Sequence, residues 1–410
     1  MKILMANKYF YPKGGSEYVF FDTLDLLKRR GHSTAVFSMH HPHNGRCEHE
    51  RYFVSHVDFD NMNPGRRISA SLRVMYSFEA KRKIMDLVRD ERPDVAHLHN
   101  IYHQISPSIL HALKKRGVPA VMTLHDFKIV CPGHTLSLNN RICDRCKDGR
   151  FYNCYLNGCV KRSRMKSLLG TVEMYVHHRL MKIYDLIDVF IVPSIFMMDK
   201  LKEMGFKGKT VHIPNFVNIE AFEPQYGGLE DSVAYYGRIA RGKGLGTLID
   251  AMSMLPDVSL KIYGEGEEKG ALADKVKAMR LNNVEFKGYV NGGALRDEIR
   301  KSRFVVMPAE NIENNPRSII EAFALGKPVI GTRSGGIPEL VKDGHTGLLF
   351  DTGDTIDLAG KISALMGDRG LITALGRNAR RLAEGQYSDR AHYQKLMDVY
   401  QGVTKRNGTE

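Results

Sequence analysis

Residues 302–347 read SRFVVMPAENIENNPRSIIEAFALGKPVIGTRSGGIPELVKDGHTG, and the rest of the chain is organised around them. Phe304 to Met307 form a short apolar run of the kind buried on both faces of a parallel sheet. A polar loop, Ala309 to Asn315, follows. Pro316 suits the first position of a helix, with Asn315 as its N-cap. Ile319, Ile320, Ala322, Phe323 and Leu325 supply the apolar faces of that helix. Gly326 ends it, Lys327-Pro328 prevents continuation, and Val329-Ile330 open the next strand. Two acids stand out. Glu321 lies within the apolar helix, where an unpaired carboxylate costs several kcal/mol and so needs donors such as ligand hydroxyls. Glu313 lies just before the helix N-terminus, whose free N–H groups and partial positive charge favour a phosphate. Asn314 and Asn315 are expected to face the same ligand at the carboxyl edge of the sheet.

Glu313 and Glu321 are separated by seven residues. Together with the following GKPVIGTRSGGIPELVKDGHTGLLF they closely resemble the E-x7-E signature of the family-4 retaining glycosyltransferases. The resemblance implies the GT-B architecture, an α/β fold of two Rossmann-like, doubly wound domains facing a central cleft. It implies that Glu321 binds ribose hydroxyls. It also implies that Glu313 binds donor-sugar hydroxyls and stabilises positive charge at the anomeric carbon.

The chain has 410 residues, enough for two domains with separate cores. Hydrophobic residues make up 43% and charged residues 26%, as in a soluble globular protein. The opening MKILMANKYF shows no signal peptide, and no apolar run is long enough to span a bilayer. The net charge of +14 is uneven: residues 1–192 hold 30 Lys and Arg against 18 Asp and Glu, residues 193–410 hold 30 against 28. Without a nucleic-acid module, the basic half points to an anionic membrane surface rather than nucleic acid. The expected location is cytoplasmic, peripheral on the inner membrane face.

Taken in order, KILMAN (2–7) reads as a strand, Gly14-Gly15 as a turn and Ser16 to Arg30 as a helix. Ser33 to Phe37 follows as a second strand, a doubly wound beginning. By itself Gly14-Gly15 reads as a tight turn. The pattern Pro12, Gly14, Gly15, Glu17 also resembles the family's glycine loop, which approaches the ligand. Residues 40–68 are His-rich without metal-ligand spacing. A helix is expected over 69–91 and a strand over 95–99, with His97, His99 and His103 at its end. Strand 118–125 ends in His125-Asp126. A His there suits hydrogen bonding to a sugar hydroxyl, a contact with the donor sugar that the resemblance implies for His125.

Cys131, Cys143, Cys146, Cys154 and Cys159 crowd one short segment, with a C-x2-C knuckle at 143–146. In a reducing compartment that pattern suggests structural zinc, with an iron–sulfur cluster or free thiols as alternatives. Lys161 to Asp188 reads as one basic amphipathic helix fit to lie on a bilayer. Domain boundaries are expected at 1–193 (acceptor side, with the cysteine insertion at 131–159) and 194–387 (nucleotide-sugar side). A final helix, 388–410, is expected to cross back to the first domain.

In the second domain, Arg238 and Lys243 flank a glycine-containing turn before a helix, a diphosphate site that matches the family's paired cations. VEFKGYV (284–290), including Tyr289, resembles the strand end that seats the nucleobase. Gly264, Gly266 and Gly270 miss the dinucleotide fingerprint by one residue. With no D-x-D-type motif near the acids, no divalent ion is expected in catalysis. The reading is a retaining, metal-independent transfer from a nucleotide-sugar, UDP favoured, to a saccharide or lipid-linked acceptor in surface polysaccharide synthesis. An NAD-dependent oxidoreductase and a non-catalytic GT-B subunit are the alternatives.

Overall fold

The computed structural model describes residues 1–56, 72–138 and 141–407. The chain divides into two compact units. One comprises Met1–Leu138, Ile142–Ile213 and the residues from Tyr393 onward, and the other is Pro214–His392. The division falls after Ile213, not after 193 as expected. Helix Ile195–Glu203 and strand Thr210–His212 follow Val189–Val192 in the first unit, and the strand extends that unit's sheet.

The first unit holds a six-stranded sheet whose strands run Lys2–Ala6, Ser33–Phe37, Val95–Leu98, Ala120–Thr123, Val189–Val192 and Thr210–His212. Counted within the unit, their order is 2-1-3-4-5-6. All pairings are parallel. Ile3, Met5, Val36, Val95, Val121, Val189 and Ile191 share one core with Phe20, Leu24 and Leu27 of helix Gly15–Arg29. The period-2 spacing of the strand residues puts them on one face, and the apolar stripe of the helix covers it. Leu396, Val399, Tyr400 and Val403, from helix Asp389–Asn407, complete the same core.

The second unit holds strands Ser232–Tyr236, Ser259–Tyr263, Val284–Gly288, Phe304–Met307, Val329–Thr332 and Gly347–Phe350. They lie in the order 3-2-1-4-5-6 and are all parallel. Alternate residues serve opposite faces. Ala234, Tyr236, Val305 and Met307 join one core, and Val233, Tyr235, Phe304 and Val306 the other. Burial on both faces is why these strands read as unbroken apolar runs.

Two local expectations are corrected. Helix Arg317–Ala324 begins after Pro316, which keeps an extended ψ of 114°, and Asn315 does not cap it. A residue before proline is held extended, which leaves the Asn315 side chain free to reach elsewhere. The expected single helix over 161–188 is instead helix Arg164–Tyr175, a π-helical turn Val176–Leu180 and a 3-10 turn Ile183–Leu186. Lys182, with φ of 47°, breaks it. Of the helix expected over 69–91, residues 69–71 lie outside the described residues, and a regular helix runs Phe78–Glu91 from the N-cap Ser77. Residues 57–68 of the His-rich stretch also lie outside them.

Candidate functional site

In the second unit the strand order reverses between the first strand, Ser232–Tyr236, and the fourth, Phe304–Met307, which are neighbours. Such a crossing point, at the carboxyl ends of the strands, is where doubly wound sheets bind ligands. The loops that leave these two strands interlock. The N–H groups of Glu310 and Asn311 donate to the Gly242 carbonyl at 2.9 and 2.8 Å. Gly244 has φ of 72°, and a Cβ there would lie 1.7 Å from the Pro308 carbonyl oxygen, so only glycine fits. Lys243 is thereby held beside the second loop, where its Nζ lies 2.5 Å from Glu313 Oε1. The Glu313 backbone is fixed from the other side. Its carbonyl accepts from Gly336 N–H at 2.8 Å, and a Cβ on Gly335 (φ 60°) would come within 2.3 Å of that oxygen.

Both partners of the Lys243–Glu313 pair are partly exposed, so the pair itself is worth at most about 1 kcal/mol and a bound anion can displace it. Arg238, on the same first loop, is exposed and pairs with Glu267 at 2.9 Å. Gly264 and Gly266 lie flush against the backbone carbonyls of Gly237 and Ile239. They allow the loops of the first and second strands to pack, which accounts for their spacing without a dinucleotide.

Glu321 is not unpaired: Arg317 Nε donates to its Oε1 at 2.8 Å, one helical turn away. Burial raises its carboxyl pKa, with Arg317 working against that rise. Asn315 is buried and acts as a clamp. Its Oδ1 accepts from Asn215 N–H at 3.0 Å, while Asn215 Nδ2 donates to the Asn315 carbonyl at 2.7 Å. Asn314 sits between Glu313 and this clamp. Tyr289, just beyond the third strand, is exposed. Thr247 Oγ1 donates to Glu310 Oε1 at 2.7 Å, adding an acid to the loop that the sequence reading did not single out.

In the first unit the order reverses between strands Lys2–Ala6 and Val95–Leu98. Gly14 and Gly15 follow the first of these. Gly14 is extended at φ −166° and Gly15 opens the helix, so neither conformation demands glycine. A Cβ on Gly15 would meet nothing within 4 Å. The space they leave is open to a ligand. His99 Nδ1 and His125 Nε2 are 2.9 Å apart with stacked rings, and burial pushes His125 down to about 4. His125 is therefore neutral at pH 7, able to exchange hydrogen bonds but not to act as a cationic acid. His97 is internal to its strand, bonded to Thr123 and Tyr400 at 2.7 Å.

Two residues the sequence reading passed over lie nearby. Lys128 Nζ and Glu173 Oε2 form a fully buried pair at 2.7 Å, with His103 3.5 Å from the other Glu173 oxygen. Lys128 holds the Glu173 carboxyl, against the cost of burial, down at about 2. The available signal was a lone charge inside each apolar run, FKIV and TVEMYV. The five clustered cysteines are all free thiols and line one small cavity.

The Glycosyltransferase Family 4 profile matches residues 13–221, slightly more than half of the chain, and the profile of glycosyl transferases group 1 matches residues 223–382. A Klebsiella pneumoniae protein, described only as an uncharacterized 42.6 kDa protein in the cps region, is 25% identical over 83% of this chain and 87% of its own. N-acetyl-alpha-D-glucosaminyl L-malate synthase of Bacillus anthracis is 26% identical over 81% of each. Among solved structures, sucrose-phosphate synthase of Thermosynechococcus elongatus matches with a TM-score of 0.74 at 18% identity, over 99% of both chains. Anabaena HepE in complex with UDP matches with a TM-score of 0.67 at 18% identity, over 98% of this chain and all of its own. These likenesses establish the GT-B fold, and the chain belongs to glycosyltransferase family 4.

Proposed function

We propose that this glycosyltransferase moves a sugar from a nucleotide-sugar, UDP being the favoured carrier, to a saccharide or lipid-linked acceptor, with retention of anomeric configuration. The observation that carries the reading is the Lys243–Glu313 pair, held by interlocked loops at the strand crossing of the second unit. In this reading the diphosphate takes Lys243 from Glu313 and Arg238 from Glu267. The two cations then neutralise the departing diphosphate, with no divalent ion assigned. Glu313, released, faces the donor sugar and stabilises positive charge at the anomeric carbon. Glu321, already oriented by Arg317, keeps one oxygen for ribose hydroxyls. The leaving phosphate receives the acceptor proton. Neutral His125 bonds a sugar hydroxyl. The UDP and UDP-glucose bound by HepE favour a uridine carrier.

A lipid-linked acceptor calls for a membrane surface, and one helix suits that role. No helix among the described residues is long and apolar enough to cross a membrane. Helix Arg164–Tyr175 nevertheless exposes Met165, Leu168 and Val172 on one stripe, beside Lys161, Arg162, Arg164 and Lys166. Such a face suits peripheral binding to an anionic, inner-face bilayer.

Thermal unfolding with UDP, GDP, ADP, their sugars and NAD tests the donor reading. A selective rise with one nucleoside diphosphate and its sugar is expected, about 2.7 kcal/mol at a hundredfold excess over Kd. A response to NAD alone would overturn the donor reading. Silence throughout would favour a non-catalytic subunit. NMR of the product's anomeric proton then separates retention from inversion.

A further inference from the structure

One cluster of reactive side chains has no part in the transfer chemistry. Five of the chain's six cysteines fall between Cys131 and Cys159. They surround a cavity of about 20 Å³, space for roughly one water or ion. Gly133 packs against Cys131 and Cys159, where a Cβ would lie 3.8 Å from Cys131 Sγ and 3.4 Å from Cys159 Cβ. The Cys143 N–H donates to the Leu136 carbonyl at 3.0 Å, bringing the C-x2-C knuckle to the same place. Cys146 is buried and lines the same cavity. Cys154 is buried within helix Tyr152–Asn157 and lines the same cavity.

The segment has little else to hold it. Its regular structure is limited to pieces such as the 3-10 turn Lys147–Gly149 and the helix Tyr152–Asn157. Between Cys131 and Ser163, His134, Leu136, Asp148, Lys161 and Arg162 all adopt positive φ, a local cost that the surroundings must offset. Leu136 and Phe151 are its buried apolar anchors besides cysteine. Short, loop-rich segments of this kind are usually stapled by a metal or by disulfides. Arg145 also lines the cavity, a cation suited to offset the negative charge of a tetrathiolate centre.

We propose that Cys131, Cys143, Cys146 and Cys159 bind one structural zinc ion, and that Cys154 supports the site without ligating. These side chains are not arrayed as ligands: among the described residues no group of three His, Cys, Asp or Glu is positioned to hold a metal. Binding requires the four thiols to release their protons and turn toward the shared cavity. The site is independent of the donor loops and stabilises the first unit alone.

The test is metal analysis of the purified full chain by mass spectrometry, with cobalt(II) substitution read by absorbance. About one zinc per chain is expected, with tetrahedral thiolate–cobalt bands after exchange. Cys143→Ser and Cys146→Ser lose the metal, while Cys154→Ser and Cys47→Ser keep it. A metal-free wild type with all thiols titratable, a Cys154–Cys159 disulfide, or bound iron in place of zinc would each overturn the proposal. Loss of zinc in Cys154→Ser but not in the knuckle variants would overturn it as well. Should the knuckle variants fail to fold, wild-type stoichiometry and the cobalt spectrum decide alone.

Discussion

Lys243 and Glu313 are partly exposed, so their attraction adds little stability, and the interlocked loops rather than the pair fix the geometry. That separation makes the two residues distinguishable. If Lys243 binds the diphosphate as proposed, Lys243→Ala removes a charge-assisted bond worth about 1.5–3 kcal/mol, so UDP affinity should fall about 10- to 100-fold by calorimetry. Glu313→Gln leaves the loops in place and frees Lys243, so UDP affinity should hold or rise slightly. Turnover should drop about 10²- to 10³-fold, because charge stabilisation is lost only at the reacting carbon. Equal losses of affinity and turnover in Glu313→Gln would reassign the residue to ground-state binding.

At the scale of elements, helix Arg164–Tyr175 presents two unlike faces. Its inner face buries Glu173 against Lys128, and its outer face is apolar and basic. Charge reversal at Arg164 and Lys166 removes about 1 kcal/mol of lipid attraction per residue, so binding to phosphatidylglycerol vesicles should weaken at least tenfold in sedimentation. Both residues are exposed, so stability should move by no more than about 0.5 kcal/mol. Equal binding to neutral and anionic vesicles would remove the membrane assignment. This element also shows where sequence stops being legible. Its apolar spacing was readable, but the break at Lys182 comes from a left-handed backbone that no periodicity announces. The strand of residues 304–307 was legible because burial on both faces leaves an unbroken apolar run. Glu313 and Glu321 drew attention through their spacing, and the fold places Glu313 in the loop before helix Arg317–Ala324 and Glu321 within it. The partner of Asn315 was not, since Asn215 lies 100 residues away in sequence and meets it only through the fold. Glu321 looked unpaired for a smaller reason: its donor, Arg317, sits one turn earlier in the same helix, and the apolar spacing drew the eye away from it.

At the scale of the whole molecule, the chain's end belongs to its beginning. Helix Asp389–Asn407 leaves the second unit and, from Tyr393, completes the core of the first. The boundary between the units was harder to read than either sheet, because the linking strand Thr210–His212 pairs with Val189–Val192 and has no composition of its own. Tyr400 is the clearest case of this long-range closure. It is fully buried, and its hydroxyl lies 2.7 Å from His97 Nδ1 in the third strand of the first sheet. Tyr400→Ala deletes an aromatic core residue and strands a buried imidazole, so denaturant unfolding should show a loss of about 3–5 kcal/mol. Tyr400→Phe keeps the ring and removes only the hydrogen bond, which should cost about 1–3 kcal/mol. Tyr400 lies in the first unit's core and the proposed diphosphate loops in the second unit. UDP affinity should therefore stay unchanged in both variants while the chain remains folded. A parallel loss of UDP binding in folded Tyr400→Phe would mean that the donor loops depend on the packing of the first unit, and that the two cores are energetically coupled rather than independent.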